Sequence, residues 1–269
     1  MISFQKTLPL VFILCIFAAC HKTKTHNISP LAIGENLGYI TQAIEITNGD
    51  TETFRFVYNP DNTLDSVIDE GNCVGCGGRT YAINYYSYSS PYIHIFYSEQ
   101  DTFNPSTYSA PWEAYRIHLI NDGMCDSIFS YELSGPESSY PEYIKYNGTQ
   151  IDTFFYLYDF RNRTSSTGAD AYIYNSNGDI STRTTQDSTY TYNYDLTHST
   201  QVGDPVMFNQ LITYGIIYTR CSHLTTSINN NADNYAYTFD SKGRVATVNE
   251  TRHYSNDTSS TKYIYQYKD

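Results

Sequence analysis

Cysteines are the residues of this 269-residue chain most capable of chemistry, and their spacing limits which chemistry that is. Cys73-Val74-Gly75-Cys76 brings two thiols close together, and Cys125 and Cys221 complete a set of four in the body of the chain. A redox-active Cys-x-x-Cys needs a helix N-terminus or a cation beside its first sulfur, whereas Gly77-Gly78 and then a strand pattern follow this one. A four-thiolate zinc site would need Cys125 and Cys221 to converge without a local pair of their own. Structural disulfides among Cys73, Cys76, Cys125 and Cys221 are therefore the expectation, with three connectivities open.

Other reactive side chains are dispersed. The seven histidines show no ligand spacing, and His94 and His118 fall inside strand patterns. Asp65, Asp126 and Asp152 recur at one position of a repeat, which suits a structural role better than a catalytic carboxylate pair. No Gly-x-Ser-x-Gly elbow or phosphate-binding loop is present, so no catalytic residue, metal or cofactor is expected. Rings are abundant, with 29 tyrosines against one tryptophan. Tyr190, Tyr192 and Tyr194 share one face of a strand, and Trp112 sits beside Pro111 at the end of a loop. These four are the candidate binding residues, suited to stacking on a glycan or a protein partner. A formal charge of −12, with no Lys/Arg cluster on a predicted strand, excludes nucleic acid as a partner.

What positions these residues is a repeated hairpin. Five segments pair an aromatic or apolar stretch with a turn opened by Asn or Asp and an outgoing strand: Phe56 to Val67, Ile117 to Ile128, Tyr143 to Phe154, Tyr172 to Ile180 and Tyr235 to Val248. The turn residues Asn121, Asn147 and Asn175 lie 26 and 28 residues apart, the length of two strands with their connections. With further period-two runs between them, about fifteen strands are predicted. The fold class is all-β: one large antiparallel meander sheet of repeated hairpins, curved or rolled, over residues 39–269. One short helix is predicted near 204–214, with Asp204 as N-cap, Pro205 at the first position and Val206, Met207, Leu211 and Tyr214 on one stripe. It is placed to plug an open side of the sheet.

The N-terminus supplies an address. Lys6 precedes the apolar run Leu8 to Ala19, too short to span a bilayer. Phe17-Ala18-Ala19-Cys20 resembles a bacterial lipobox. That resemblance implies a signal peptide over 1–19, acylation of Cys20, a tether over 20–38 and outer-membrane anchoring by lipid, on a face left open. The motifs Tyr237-Thr238-Phe239-Asp240-Ser241-Lys242-Gly243-Arg244-Val245 and Tyr172 to Ile180 resemble the repeats of YD-repeat-like lipoproteins of Bacteroidota, families that imply a β-rich envelope fold and no established chemistry. The resulting expectation is a non-enzymatic envelope lipoprotein, held to the membrane by its lipid and binding a glycan or an envelope protein. A glycan-processing or thiol-redox enzyme and a lipid or lipoprotein carrier are the alternatives.

Overall fold

Alternating residues along the chain become paired strands. The computed structural model describes residues 39–268 apart from 74–77, 101–107, 121–123, 133–134, 149, 161–162, 215–220, 230–231 and 255–256. The expected signal peptide, Cys20, the tether and Cys76 lie outside the described residues, as does the side chain of Cys73.

The first half comprises β1 (Ile40–Thr47), β2 (Asp50–Tyr58), β3 (Leu64–Cys73), β4 (Gly78–Ser89), β5 (Tyr92–Glu99), β6 (Trp112–Leu119), β7 (Cys125–Glu132) and β8 (Gly135–Asn147). It continues through β9 (Gln150–Phe160), β10 (Arg163–Tyr174), β11 (Ile180–Thr184) and β12 (Thr189–Ser199) to α1 (Pro205–Tyr214). The last strands are β13 (His223–Ile228), β14 (Asp233–Phe239), β15 (Val245–Tyr254) and β16 (Asp257–Tyr267). Each strand pairs antiparallel with its sequence neighbours, and β16 returns to β1 with Ile44 opposite Ile264. The expected meander is thus a closed barrel of sixteen strands. Closure gives the terminal strands partners and leaves no sheet edge open to another chain.

Each of the five repeats joins the end of an even-numbered strand to the start of the next, so the strand ends they connect fall on the rim where β1 starts and β16 ends; residues 121–123 and 149 of these turns lie outside the described residues. Two of them have the same geometry. Asn175 Oδ1 accepts the amides of Asn177 and Asp179, and Asp240 Oδ1 accepts those of Lys242 and Arg244. Gly178 at φ +85° and Gly243 at φ +78° supply the left-handed residue each turn needs. Asn62, at φ +65°, does so in the turn after Asn59.

On the same rim, tyrosines close the open mouths of the hairpins. The hydroxyls of Tyr58, Tyr88, Tyr146, Tyr194 and Tyr267, all on even-numbered strands, donate to the carbonyls of Ile40, Leu64, Cys125, Ile180 and Val245 at 2.7–2.9 Å. Each acceptor is the first residue of the preceding strand. Tyr174 uses its hydroxyl to accept from the Ile151 amide instead, at 3.1 Å. On β14 the residue before the turn is Phe239, which has no hydroxyl, and Tyr237 reaches the Thr225 carbonyl in its place.

α1 crosses the barrel interior rather than covering an open side. Asp204 is its N-cap as expected: Oδ1 accepts the Val206 amide at 3.0 Å, while Oδ2 accepts the Thr225 amide of β13 at 2.7 Å. Gly203 allows the close approach, since a Cβ there would meet Val245 Cβ at 2.9 Å. The far end of the helix reaches β6, where Tyr214 and Tyr115 meet edge on at 5.4 Å. The predicted stripe missed its central residue. Phe208 is fully buried, and its ring packs on Phe54, Phe56, Tyr263 and Tyr265 at 5.2–6.2 Å, whereas Val206 and Tyr214 are half-buried.

Two stability measurements check this reading. Tyr88→Phe should lower unfolding free energy by about 1 kcal/mol in a denaturant titration, as expected for one internal hydrogen bond. Phe208→Ala should cost about 3–5 kcal/mol, because it empties the centre of the core.

Candidate functional site

Burial decides which way each strand face points. On β10, Asp170 alternates with Tyr172 and Tyr174, and the Asp170 side chain is 3% exposed. On β12, Tyr192 and Tyr194 face the interior, and the two strands together with β11 and the first half of α1 enclose a cavity of about 140 Å³. Phe154, Arg183, Met207 and Cys221 also line it.

The polar centre of the cavity is an ion pair. Arg183 Nε donates to Asp170 Oδ2 at 2.8 Å, and the guanidinium also stacks over the Tyr190 ring at 5.6 Å from its centroid. The other carboxylate oxygen, Asp170 Oδ1, is buried and has no hydrogen-bond partner. A buried carboxylate oxygen in that state is costly unless a ligand or water meets it. Sequence reasoning missed both residues. The available signal was Asp170 itself, an acid in register with Tyr172 and Tyr174 on an aromatic face.

The sequence-predicted residues divide between the cavity and other places. Tyr192 and Tyr194 line the cavity, and Tyr190 packs on Arg183, so these rings form no exposed ladder. Trp112 lies apart on β6, half-buried, with its ring edge on to Tyr97 at 5.9 Å. The disulfides expected at Cys125 and Cys221 are not formed, because both are free thiols. Cys125 is buried at the start of β7, on the opposite rim from Cys73 at the end of β3, which explains why those two do not meet. Burial pushes the Cys221 thiol up to about 11 and raises Cys125 further, so both are protonated and poorly nucleophilic at neutral pH.

The strand histidines are satisfied locally: His94 bonds Glu113 at 2.7 Å and His118 bonds Asp126 at 2.6 Å. Among the described residues, no three or more His, Cys, Asp or Glu side chains converge to hold a metal ion.

No protein-family model matches the chain, and no curated protein matches it. Among solved structures it is similar to a porin-like protein from Bacteroides uniformis ATCC 8492, with a TM-score of 0.63 at 12% identity, covering 85% of this chain and 98% of that one. A porin-like protein from Bacteroides vulgatus ATCC 8482 gives a TM-score of 0.53 at 15% identity, covering 86% and 99%. At that identity the likeness establishes a shared barrel fold.

Interior carboxylates make stability depend on pH. Burial raises Asp204 to about 6 and Glu142 to about 7, and burial with the neighbouring Glu52 raises Asp69 to about 7. Each holds its proton more tightly folded than unfolded. Their stabilising contribution is therefore complete below about pH 4 and is lost as pH rises through 6 to 7. Asp195, held down at about 2 by the Thr197 hydroxyl and amide, acts only below that window. The melting temperature should fall between pH 5 and pH 8, and Asp69→Asn combined with Glu142→Gln should flatten the fall.

Proposed function

We propose that this protein is a non-enzymatic lipoprotein of the outer membrane, whose barrel stands in the aqueous phase on an acylated Cys20 and binds a small ligand in its lumen. The observation that carries this reading is the polarity of the barrel's outer face. Barrels that cross a bilayer with their strands show an apolar band about 25 Å tall outside and polar residues inside. Here the inward face holds the apolar core, including Ile95, Ile117, Ile128, Phe208 and Val248. Outward positions on β14, β15 and β16 include Ala236, Thr238, Thr247, Asn249, Thr251, Ser260 and Lys262, with Ile264 the large apolar residue among them.

Ion pairs reinforce that polarity. Arg55 with Glu70 and Lys145 with Asp152 lie between neighbouring strands on the outer face, and Arg116 with Glu113 lies along β6. A Lys or Arg facing lipid near the bilayer centre costs about 2–4 kcal/mol. What carries over from the porin-like Bacteroides proteins is therefore a barrel shape, without strands that span the membrane. The lipobox-like Phe17-Ala18-Ala19-Cys20 supplies the remaining means of attachment.

Two features favour binding over the alternatives. The described thiols are protonated, the Asp204 oxygens are committed to backbone amides and the Asp170 carboxylate is held by Arg183, so the cavity shows no nucleophile paired with a base. A carrier of acyl chains needs an open apolar lumen, whereas α1 packs inside this one with Phe208 against Phe54 and Tyr265. Because the tyrosine ladders point inward, a glycan small enough to enter suits the site better than an envelope protein docking outside.

Attachment is tested by Cys20→Ser. The variant, expressed with its export signal, should appear in the soluble periplasmic fraction without detergent and keep its β-rich circular dichroism. A barrel that spans the membrane would remain in the membrane pellet regardless of Cys20.

A further inference from the structure

The cavity beside α1 has a chemical asymmetry that narrows its ligand. Asp170 gives Oδ2 to Arg183 and keeps Oδ1 bare, although the residue is only 2% exposed. Arg183 carries five N–H donors, and its bonds to Asp170 and its contact with the Tyr192 hydroxyl do not use them all. An unused acceptor and unused donors therefore belong to one ion pair. Around them are the rings of Phe154, Tyr172 and Tyr192.

Each class of small ligand can be weighed against these groups. An amine cation would meet a carboxylate already paired with Arg183. An anion would meet Asp170 and the buried Asp204, both acidic. A purely apolar molecule would leave the buried Oδ1 oxygen without a partner. A neutral hydroxyl both donates and accepts, so one such group satisfies Oδ1 and an Arg183 N–H together. Aromatic walls with a few convergent polar groups are the usual lining of a small-molecule pocket. The pocket, at about 140 Å³, is close to the ~150 Å³ that accepts benzene, so the substituents of a sugar ring must extend through its open side.

We infer that the lumen takes one neutral sugar ring, with a hydroxyl donating to Asp170 Oδ1 and accepting from Arg183, and the ring faces packed on Tyr172 and Tyr192. This rests on the reading of the lumen as a ligand site and adds the class of ligand. It also places glycan recognition inside the barrel, away from Trp112.

The test uses the full-length lipidated protein in a detergent without sugar headgroups. Saturation-transfer difference NMR and calorimetry would be run with glucose, galactose and N-acetylglucosamine, with spermidine and choline as cations and glucuronate as an anion. At least one neutral sugar should bind, with affinity reduced tenfold or more by Asp170→Asn. Val206→Trp, which fills the cavity from the helix and leaves the ion pair intact, should reduce it to the same extent while melting stays cooperative. Binding of cations or glucuronate alone, abolished by Val206→Trp, would overturn the sugar assignment and leave the lumen site standing. Sugar binding indifferent to Val206→Trp would also overturn the assignment, by locating the sugar elsewhere. Failure of every probe would remove the lumen site itself.

Discussion

A tyrosine hydroxyl bonded to the carbonyl that opens the preceding strand is the contact on which this barrel depends. It recurs from Tyr58 on β2 to Tyr267 on β16 and joins the two ends of a hairpin that its distal turn leaves apart. The side chain suits the task because its ring packs against the core while its hydroxyl reaches the rim, meeting both demands of a half-buried position. In Tyr58-Asn59, Tyr146-Asn147 and Tyr174-Asn175 the next residue starts the turn to the following unit. One dipeptide thus ends a unit and begins the next, which explains why the chain is so rich in tyrosine and why its repeat is two strands long.

With the rings turned inward, the rest of the interior follows. A barrel of sixteen strands encloses more space than its wall side chains fill, and α1 takes up part of it with Phe208 at its centre. Asp204 ties that helix to β13 through the same carboxylate that caps it, so the helix is fixed at its first turn. What remains beside it is the small cavity around Asp170 and Arg183. The outer face carries threonines and ion pairs among scattered exposed apolar side chains such as Val57, Tyr85, Phe155 and Ile173, while the packed apolar core lies inside. A lipid-facing barrel instead has its continuous apolar band outside.

Hairpins, their turns and the helix cap were legible in the amino-acid sequence because each is set by neighbours a few residues apart. Asn175 to Gly178 and Asp240 to Gly243 read as turns from side-chain chemistry alone, and Asp204-Pro205 marks a helix start wherever it occurs. The site was only half legible. Tyr192 and Tyr194 were identified as candidates, but Asp170 and Arg183 pair diagonally across the β10–β11 hairpin, in a register offset by the irregularity at Ile173–Tyr174, which the alternation pattern does not mark. Cys125 and Cys221 misled for a related reason: spacing along the chain says nothing of which rim a residue reaches, and Cys73 and Cys125 reach opposite ones.

By itself the sequence determined that the strands are two-faced, that they follow one another in order, and where each reverses. Tertiary structure decided that the aromatic face points in, that β16 meets β1, and that an acid and an arginine share one pocket. The physical reason is range. Turn and alternation energies act within a few residues, whereas closure depends on pairings such as Gln266 with Gln42, which exist only once the whole chain has come round.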